Sequence, residues 1–227
     1  AWKHGGAPVW QTPSVDPELG MLYFTTGNAG PDNNGSKRAG KNLFAASMVA
    51  LDLHTGKLRW AYQFVHHDIW DYDAPSPTVL FDAKVHGDTV HGIGEAEKTG
   101  WVYLLNRETG KPIFGVEERP VPKGDVPGEW YSPTQPFPVK PPPLTRVDFN
   151  KERDMVRPED TSAEHVKACQ ELWDKSGGFI NLGPFTPFNY HEDGTPPKST
   201  ISFPGGTGGV NWGGTATDPR TGYIYMN

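Results

Sequence analysis

The feature that most constrains the fold of this chain is a short turn that occurs four times. In each copy an acidic or amide residue is followed four positions later by glycine, between apolar strand-like segments. The Asp or Asn side chain can accept hydrogen bonds from the turn backbone, and glycine adopts the positive φ that closes it. The pattern therefore predicts tight turns between antiparallel strands. The copies are Asp16 with Gly20, Asp52 with Gly56, Asn106 with Gly110, and Asp218 with Gly222.

A large side chain follows each of these turns. An aromatic residue stands four positions after the glycine at Phe24, Trp60 and Phe114, and Met226 takes that place in the fourth copy. A ring at this point can fill the gap between neighbouring sheets. The copies are separated by about one or two lengths of a propeller blade, which is roughly 40–50 residues. We therefore expect an all-β array of stacked antiparallel sheets, most simply a β-propeller.

Composition agrees with a fold that is rich in turns. The 227 residues include 27 Gly and 23 Pro, so long helices are not expected to dominate. The formal net charge is −6 and no basic run is present. This balance argues against a nucleic-acid partner, because phosphates require a basic surface.

The turns divide the chain into three regions. Residues 1–118 carry three of the turns and are expected to form blades, and 199–227 are expected to begin a further blade. Between them, 119–198 are expected to form an excursion, because proline is dense over 119–145 and excludes helix and central strand. Within the excursion, apolar spacing predicts a short helix over 161–175 with Thr161 or Ser162 as N-cap. Neither end of the chain looks like a domain boundary, so we expect a part of a longer domain.

The second informative segment is HHDIWDYD, residues 66–73. If the chain is extended there, Asp71 and Asp73 project from one face, and two such acids repel unless a cation or a proton lies between them. His66 and His67 do not suggest a metal site, because adjacent side chains on a strand point to opposite faces. We expect structural roles for both histidines.

Five motifs taken together resemble a known family. In chain order they are GGAPVWQTPSVDPELGMLYFTTGN, ALDLHTGKLRW, HHDIWDYD, EKTGWVYLLNRETG and FPGGTGGVNWGG. Their order and intervals are similar to those of the pyrroloquinoline quinone (PQQ) dependent dehydrogenases. That family forms an eight-bladed β-propeller, of which this chain resembles three or four central blades. The region from Cys169 to Gly214 looks most like the glucose and quinate dehydrogenase branch.

The resemblance implies a role for several residues. Trp10 matches the aromatic floor under the planar quinone, although a tryptophan that packs between blades is the alternative. Asn28 matches an amide ligand of the metal, although asparagine after glycine is otherwise a common turn residue. Asp71 matches the catalytic base, which also touches the metal, and takes the hydroxyl proton as hydride passes to the quinone. The family's glutamate metal ligand and upstream cofactor contacts fall in blades before Ala1.

The remaining matches concern the acids and cations around Asp71. Asp73 matches an acid that is a further metal ligand in the family, but it does not settle the metal, because an acid here accompanies lanthanide in one branch and calcium or magnesium in another. Calcium is the expected ion, with magnesium or a lanthanide as alternatives. Lys98 matches the cation that contacts the quinone oxygens, and an ordinary solvated lysine beside Glu95 and Glu97 is the alternative. Asn211 and Trp212 match a pair that contacts the cofactor.

The function implied is PQQ-dependent oxidation of a sugar or polyol hydroxyl. A quinoprotein alcohol dehydrogenase and a noncatalytic propeller scaffold of the bacterial envelope are the alternatives. Ubiquinone or a cytochrome c is the expected electron acceptor. The expected location is the periplasm, with or without an inner-membrane anchor from a segment outside this chain.

Overall fold

The computed structural model describes residues 5–227, so the expected blades over 1–118 can be compared with it only from Gly5 onward. Its first sheet is an antiparallel meander of four strands in the order β1-β2-β3-β4. Alternate side chains of the second strand are buried, which places one face of the sheet in the core. The strands are β1 (Ser14–Asp16), β2 (Met21–Thr25), β3 (Ser47–Asp52) and β4 (Leu58–Gln63).

The second sheet repeats this plan with three antiparallel strands, in the order β5-β6-β7. An isolated bridge between Leu105 and Pro112 extends it on the side of its last strand, where the first sheet has its fourth strand. The last five residues of the middle strand are buried, so the end of the sheet that they form lies in the interior. The strands are β5 (Val79–Val85), β6 (Asp88–Ala96) and β7 (Val102–Asn106).

All four predicted turns form with the expected mechanism. The carboxylate of Asp52 accepts hydrogen bonds from the backbone of His54 and Thr55 and from the Thr55 hydroxyl. The N–H of Gly56 donates to the Asp52 carbonyl at 2.8 Å, with φ of +69° at the glycine. Asn106 with Gly110 and Asp218 with Gly222 close with the same backbone bond, also at 2.8 Å.

The predicted role of Trp60 in joining neighbouring sheets is confirmed. Its indole N–H donates to the carbonyl of Arg107, which follows the second sheet, at 3.1 Å. A side-chain carbon added at Gly110 would lie 2.7 Å from the indole ring. Gly110 in the turn after the second sheet therefore leaves the space that the Trp60 ring of the preceding sheet occupies.

The proline-dense region is more ordered than the sequence predicts. It includes an antiparallel hairpin of β8 (Val116–Pro120) and β9 (Thr134–Pro138), with Pro136 and Pro138 inside a strand. Proline is tolerated because the hairpin has two strands and neither is central. Four consecutive residues, 135–138, are buried, so the expectation of a surface excursion is wrong for this strand.

The predicted helix is present as α2 (Ala163–Lys175), and the side chain of its N-cap Ser162 accepts from His165 N–H. A single turn, α1 (Lys151–Asp154), precedes it. Neither helix of the described residues combines the length and apolar character needed to cross a bilayer.

Two short pairs complete the chain. Strands β10 (Phe179–Ile180) and β11 (Ser199–Thr200) pair in parallel, and β12 (Thr215–Asp218) and β13 (Tyr223–Met226) form an antiparallel hairpin. The hydroxyls of Thr215 and Thr217 donate to Pro77 and Leu80 carbonyls at 2.9 and 3.2 Å. The last hairpin thus lies against the second sheet.

Candidate functional site

The candidate site lies at the end of the sheets opposite the repeated turns. Asn28 follows the far end of β2, Asp71 and Asp73 lie in the link from β4 to β5, and Lys98 lies in the turn from β6 to β7. Because adjacent antiparallel strands bring alternate connections to the same end, segments distant in sequence converge here.

Lys98 is the centre of this convergence. Its ammonium lies 2.7 Å from Asp73 Oδ2 and 3.0 Å from Asp71 Oδ2, and it also donates to the Asp71 carbonyl at 2.9 Å. Lys98 is only 5% exposed. The alternative interpretation of a solvated lysine is therefore wrong.

Asp73 joins this cation to Asn28. The other carboxylate oxygen of Asp73 accepts from the Asn28 backbone N–H at 2.6 Å, and the Asn28 side-chain amide donates to Asp32 at 2.7 Å. A side-chain carbon at Gly27 would lie 2.6 Å from Asp73 Oδ1, so only glycine permits this approach. The structure thus brings together Asn28, Asp71, Asp73 and Lys98.

The conformation of Asp71 differs from the expected extended strand. Its φ is +65°, in the left-handed region that β-carbon-bearing residues rarely adopt. Asp71 and Asp73 still converge on one cation, but through a kink in a link that has no regular strand. Trp70 and Tyr72 on either side are buried and stacked, with ring centroids 5.8 Å apart. The Asp71 side chain retains 40% exposure, so it is the open group of this segment.

The electrostatics of the pair follow from burial and charge. Partial burial raises the pKa of Asp71, Lys98 opposes that shift, and the nearby Asp73 carboxylate adds to it. Burial alone would lower the pKa of Lys98, but its bonds to Asp73 and Asp71 outweigh this and raise it. The result is a firmly cationic lysine beside an accessible carboxylate of increased basicity.

The sequence interpretation missed two buried acids beside Lys98. Glu95 and Glu97 are fully buried, and Glu95 Oε1 accepts from Ser76 N–H at 3.0 Å. Both oxygens of Glu97 lack a hydrogen-bond partner within residues 5–227. Burial raises the pKa of both groups well above the usual value, and the proximity of the two acids adds to this for Glu97. The alternation of side chains along the strand could have indicated this burial, because Glu95 and Glu97 lie on the same face as the core residue Ile93.

The glycine-rich loop before β12 lies against Lys98. The N–H of Gly209 donates to the Lys98 carbonyl at 2.8 Å, and a side chain at Gly208 would meet Lys98 atoms at 2.5 Å. Asn211 is held in this loop by its own amide, which donates to the Thr207 carbonyl at 2.5 Å. Trp212 is 73% exposed.

Trp10 belongs to a segment that is pinned beside Asn28. The N–H of Gly27 donates to the Pro8 carbonyl at 2.9 Å, and Ala7 N–H donates to the Asn28 carbonyl at 2.5 Å. Trp10 follows this contact and is 44% exposed, which leaves part of its indole accessible.

The two adjacent histidines bond to protein groups. His66 Nδ1 lies 2.8 Å from Gln63 Oε1, and its Nε2 lies 2.8 Å from Glu118 Oε1. His67 is held between the Gly40 carbonyl and Glu129 at 2.8 and 2.9 Å. These contacts are those of structural residues.

The donor chemistry fits a hard cation only in part. The Asn28 amide and the carboxylates of Asp71 and Asp73 are oxygen ligands of the kind that calcium and magnesium take. Within residues 5–227 no group of three or more His, Cys, Asp or Glu side chains forms a metal-binding arrangement. The described residues therefore offer part of an oxygen shell.

Comparisons with known proteins extend this description. Residues 1–227 match the family described as "PQQ: Glucose/ethanol/alcohol dehydrogenase, beta-propeller domain". Glycerol dehydrogenase large subunit of Gluconobacter thailandicus is 37% identical across 100% of this chain and 29% of its own length. Quinate/shikimate dehydrogenase (quinone) of Acinetobacter baylyi is 34% identical across 100% of this chain and 26% of its own. The crystal structure of quinohemoprotein alcohol dehydrogenase from Comamonas testosteroni matches with a TM-score of 0.59 and 27% identity, across 98% of this chain and 25% of that one.

The stacked antiparallel sheets, two of which are joined through Trp60, are blades of a β-propeller with an acid and lysine cluster at one end. The chain belongs to the β-propeller family of PQQ-dependent dehydrogenases. It spans less than a third of the length of the relatives named here.

Proposed function

We propose that the full-length protein containing this chain oxidises a hydroxyl group of a sugar or polyol, with PQQ as the hydride acceptor. The observation that carries the proposal is the convergence of Asn28, Asp71, Asp73 and Lys98 from three separate connections. Nothing in the packing of blades requires two carboxylates and a buried lysine at one point. A noncatalytic scaffold has no need for this cluster.

Each residue has a chemical task in this proposal. When bound, PQQ supplies the carbon that accepts hydride, and a hard cation supplies a Lewis acid. Asp71 takes the proton of the substrate hydroxyl, because it is the accessible carboxylate and its pKa is raised. Lys98 donates to both the backbone carbonyl and the carboxylate of Asp71 and so holds that residue in place. Its ammonium is also placed to donate to an anionic or carbonyl oxygen of a ligand.

Other residues would hold the ligands. Trp10 offers an exposed indole face for a planar ring, and Asn211 and Trp212 lie in the loop packed on Lys98. Asn28, Asp71 and Asp73 would hold the cation, for which calcium is proposed, with magnesium or a lanthanide as alternatives. A ubiquinone or cytochrome c acceptor and a periplasmic location are proposed from the resemblance to the family.

A quinoprotein alcohol dehydrogenase is the second candidate. It is supported by the match to the Comamonas testosteroni alcohol dehydrogenase, which covers 98% of this chain. The two candidates share Asp71 and Lys98 and differ only in substrate.

The test is a dye-reduction assay of the full-length protein reconstituted with PQQ and calcium, with glucose, quinate, glycerol and ethanol. We expect cofactor-dependent oxidation of a polyhydroxylated substrate in preference to ethanol, and loss of turnover in Asp71→Asn with PQQ still bound. Preference for ethanol would favour the second candidate. Full turnover in Asp71→Asn would refute the assignment of the base.

A further inference from the structure

The third acid of the HHDIWDYD segment, Asp68, has contacts that neither the repeat nor the resemblance assigns. It is fully buried, and its two carboxylate oxygens face the backbone rather than a solvent or a cation. Oδ1 accepts from Trp70 N–H at 2.9 Å, and Oδ2 accepts from Tyr72 N–H at 2.9 Å. These two N–H groups belong to the residues on either side of Asp71.

The contacts of Asp68 explain how Asp71 keeps an unfavourable conformation. A residue with a β-carbon is strained in the left-handed region, and such a conformation persists only where the surroundings determine it. Trp70 and Tyr72 are anchored by their side chains, through the indole to the Thr186 carbonyl at 2.7 Å and the phenol to the Pro204 carbonyl at 2.7 Å. Asp68 then fixes the backbone N–H of the same two residues.

Asp68 is itself tied to the loop that carries Asn28. Arg38, which is buried, donates to the Asp68 carbonyl at 2.5 Å and to the Pro31 and Asp32 carbonyls at 2.9 and 3.3 Å. Asp32 in turn accepts from the Asn28 side chain. One network of hydrogen bonds therefore joins the segments that present Asn28 and Asp71.

We propose that Asp68 is a positioning residue, which clamps the backbone on both sides of Asp71 so that the Asp71 carboxylate meets Lys98 and the substrate hydroxyl. This role extends the proposed function, and the expected effect on kcat rests on that function. Its structural consequence, the left-handed conformation of Asp71, stands without it.

The experiment compares Asp68→Asn and Asp68→Ser with Asp16→Asn, in the full-length protein reconstituted with PQQ and calcium. In Asp68→Asn, an amide NH2 group replaces one carboxylate oxygen and faces a backbone N–H, so that two donors clash. In Asp68→Ser, the hydroxyl oxygen can still accept one of the two backbone hydrogen bonds, and this clash is avoided. Asp16 is the matched control, because it is a buried aspartate that caps a turn through Glu18 and Leu19 N–H at the opposite end of the sheet. Crystal structures, melting temperatures, bound PQQ, kcat and KM are measured with the four substrates.

We expect both Asp68 variants to bind PQQ and to move Asp71 φ out of the left-handed region. Their kcat should fall about 10–100-fold with KM within about threefold, because a misplaced base slows chemistry without weakening binding. Asp16→Asn should lower the melting temperature and leave kcat unchanged. The proposal is overturned if both Asp68 variants keep Asp71 φ near +65°, or if they lose only melting temperature as Asp16→Asn does. If even the wild type oxidises none of the substrates, the proposed function fails, and the crystal structures alone decide the clamp.

Discussion

Two buried cations, each with two carboxylates, lie at opposite ends of the sheets and differ in what surrounds them. At the turn end, Arg107 contacts Asp16 at 2.6 Å and Asp82 at 2.8 Å. Its carbonyl accepts from the Tyr23 hydroxyl and the Trp60 indole. A planar guanidinium with fixed donors is suited to join two sheets permanently.

At the site end, Lys98 contacts Asp71 and Asp73. The fully buried acids Glu95 and Glu97 precede it in the sequence, and Asp71 has a strained backbone and an accessible side chain. Bonds from Leu19 N–H and Arg107 outweigh burial and lower the pKa of Asp16, whereas the pKa of Asp71 is raised. The carboxylates of Asp16 and Asp82 are hydrogen-bonded at the turn end, whereas both oxygens of Glu97 at the site end lack a partner within residues 5–227. We therefore expect the turn end to serve stability and the site end to serve chemistry.

The comparison is tested most strongly by removing each cation. Lys98→Ala should lower kcat about 10²–10³-fold, because the aligned charge beside Asp71 is lost. Arg107→Ala should leave kcat unchanged and lower the free energy of unfolding by about 3–5 kcal/mol, because the buried carboxylate of Asp16 loses its partner. Steady-state kinetics and urea unfolding of both variants in the full-length protein measure this. Equal loss of kcat in the two variants would show that the two ends of the sheets do not differ in their importance for catalysis.

The aromatic residue that joins the sheets belongs to the turn end. Trp60→Ala should lower the free energy of unfolding by about 3 kcal/mol, since the indole fills the space over Gly110 and bonds to Arg107. Phe114→Ala, at a ring that is 38% exposed, is the control and should cost less. Urea unfolding measures both, and a change of equal size would show that Trp60 is not a docking residue.

Two glycines sharpen the comparison through a smaller change. Gly27→Ala should cost about 1–3 kcal/mol of stability and also lower kcat/KM, because its β-carbon would displace the Asp73 carboxylate. Gly56→Ala has open space around it and a φ of +69°, so it should cost about 1–2 kcal/mol and leave kcat/KM unchanged. Normal kcat/KM in Gly27→Ala would contradict the tight placement of Asp73.

The smallest expected effect is a difference in the pH dependence of stability. Glu97 has a raised pKa in the folded state, so its contribution is present below the unfolded pKa and is lost as pH rises toward the folded pKa. Asp16 has a lowered pKa, so its contribution is present above the unfolded pKa and is lost on acidification. Glu97→Gln should therefore reduce the loss of stability that occurs as the pH rises above about 4.5. Asp16→Asn should reduce the loss of stability that occurs as the pH falls below about 4.

Urea unfolding between pH 3 and pH 9 checks both slopes. An unchanged slope in Glu97→Gln would show that Glu97 ionises in the folded protein as readily as in water.

The fold was more predictable from sequence than the site, for a physical reason. The turns depend on contacts within four or five residues, such as those of Asp52 with Thr55 and Gly56, and these are visible in the sequence. The buried strand β9 was missed because its prolines argue against a strand until the two-stranded hairpin is seen.

The site depends on contacts between residues far apart in the chain. Lys98 lies 27 positions from Asp71, so only the resemblance to the family connected them before the structure did. Asp68 was overlooked because an extended segment gives it no role, and its two bonds exist only after the chain kinks at Asp71. Glu95 and Glu97 were given no role, because glutamate side chains are usually solvated.

The most direct test of the central claim is reduction of bound PQQ in a single turnover. Wild-type protein, Asp71→Asn and Arg107→Ala, each loaded with PQQ and calcium, are mixed without oxygen or dye with the substrate that the wild type oxidises best, and the cofactor spectrum is followed. We predict rapid reduction in wild type and Arg107→Ala, and a rate about 10²–10⁴-fold lower in Asp71→Asn. Reduction of the cofactor at the wild-type rate in Asp71→Asn would contradict this prediction.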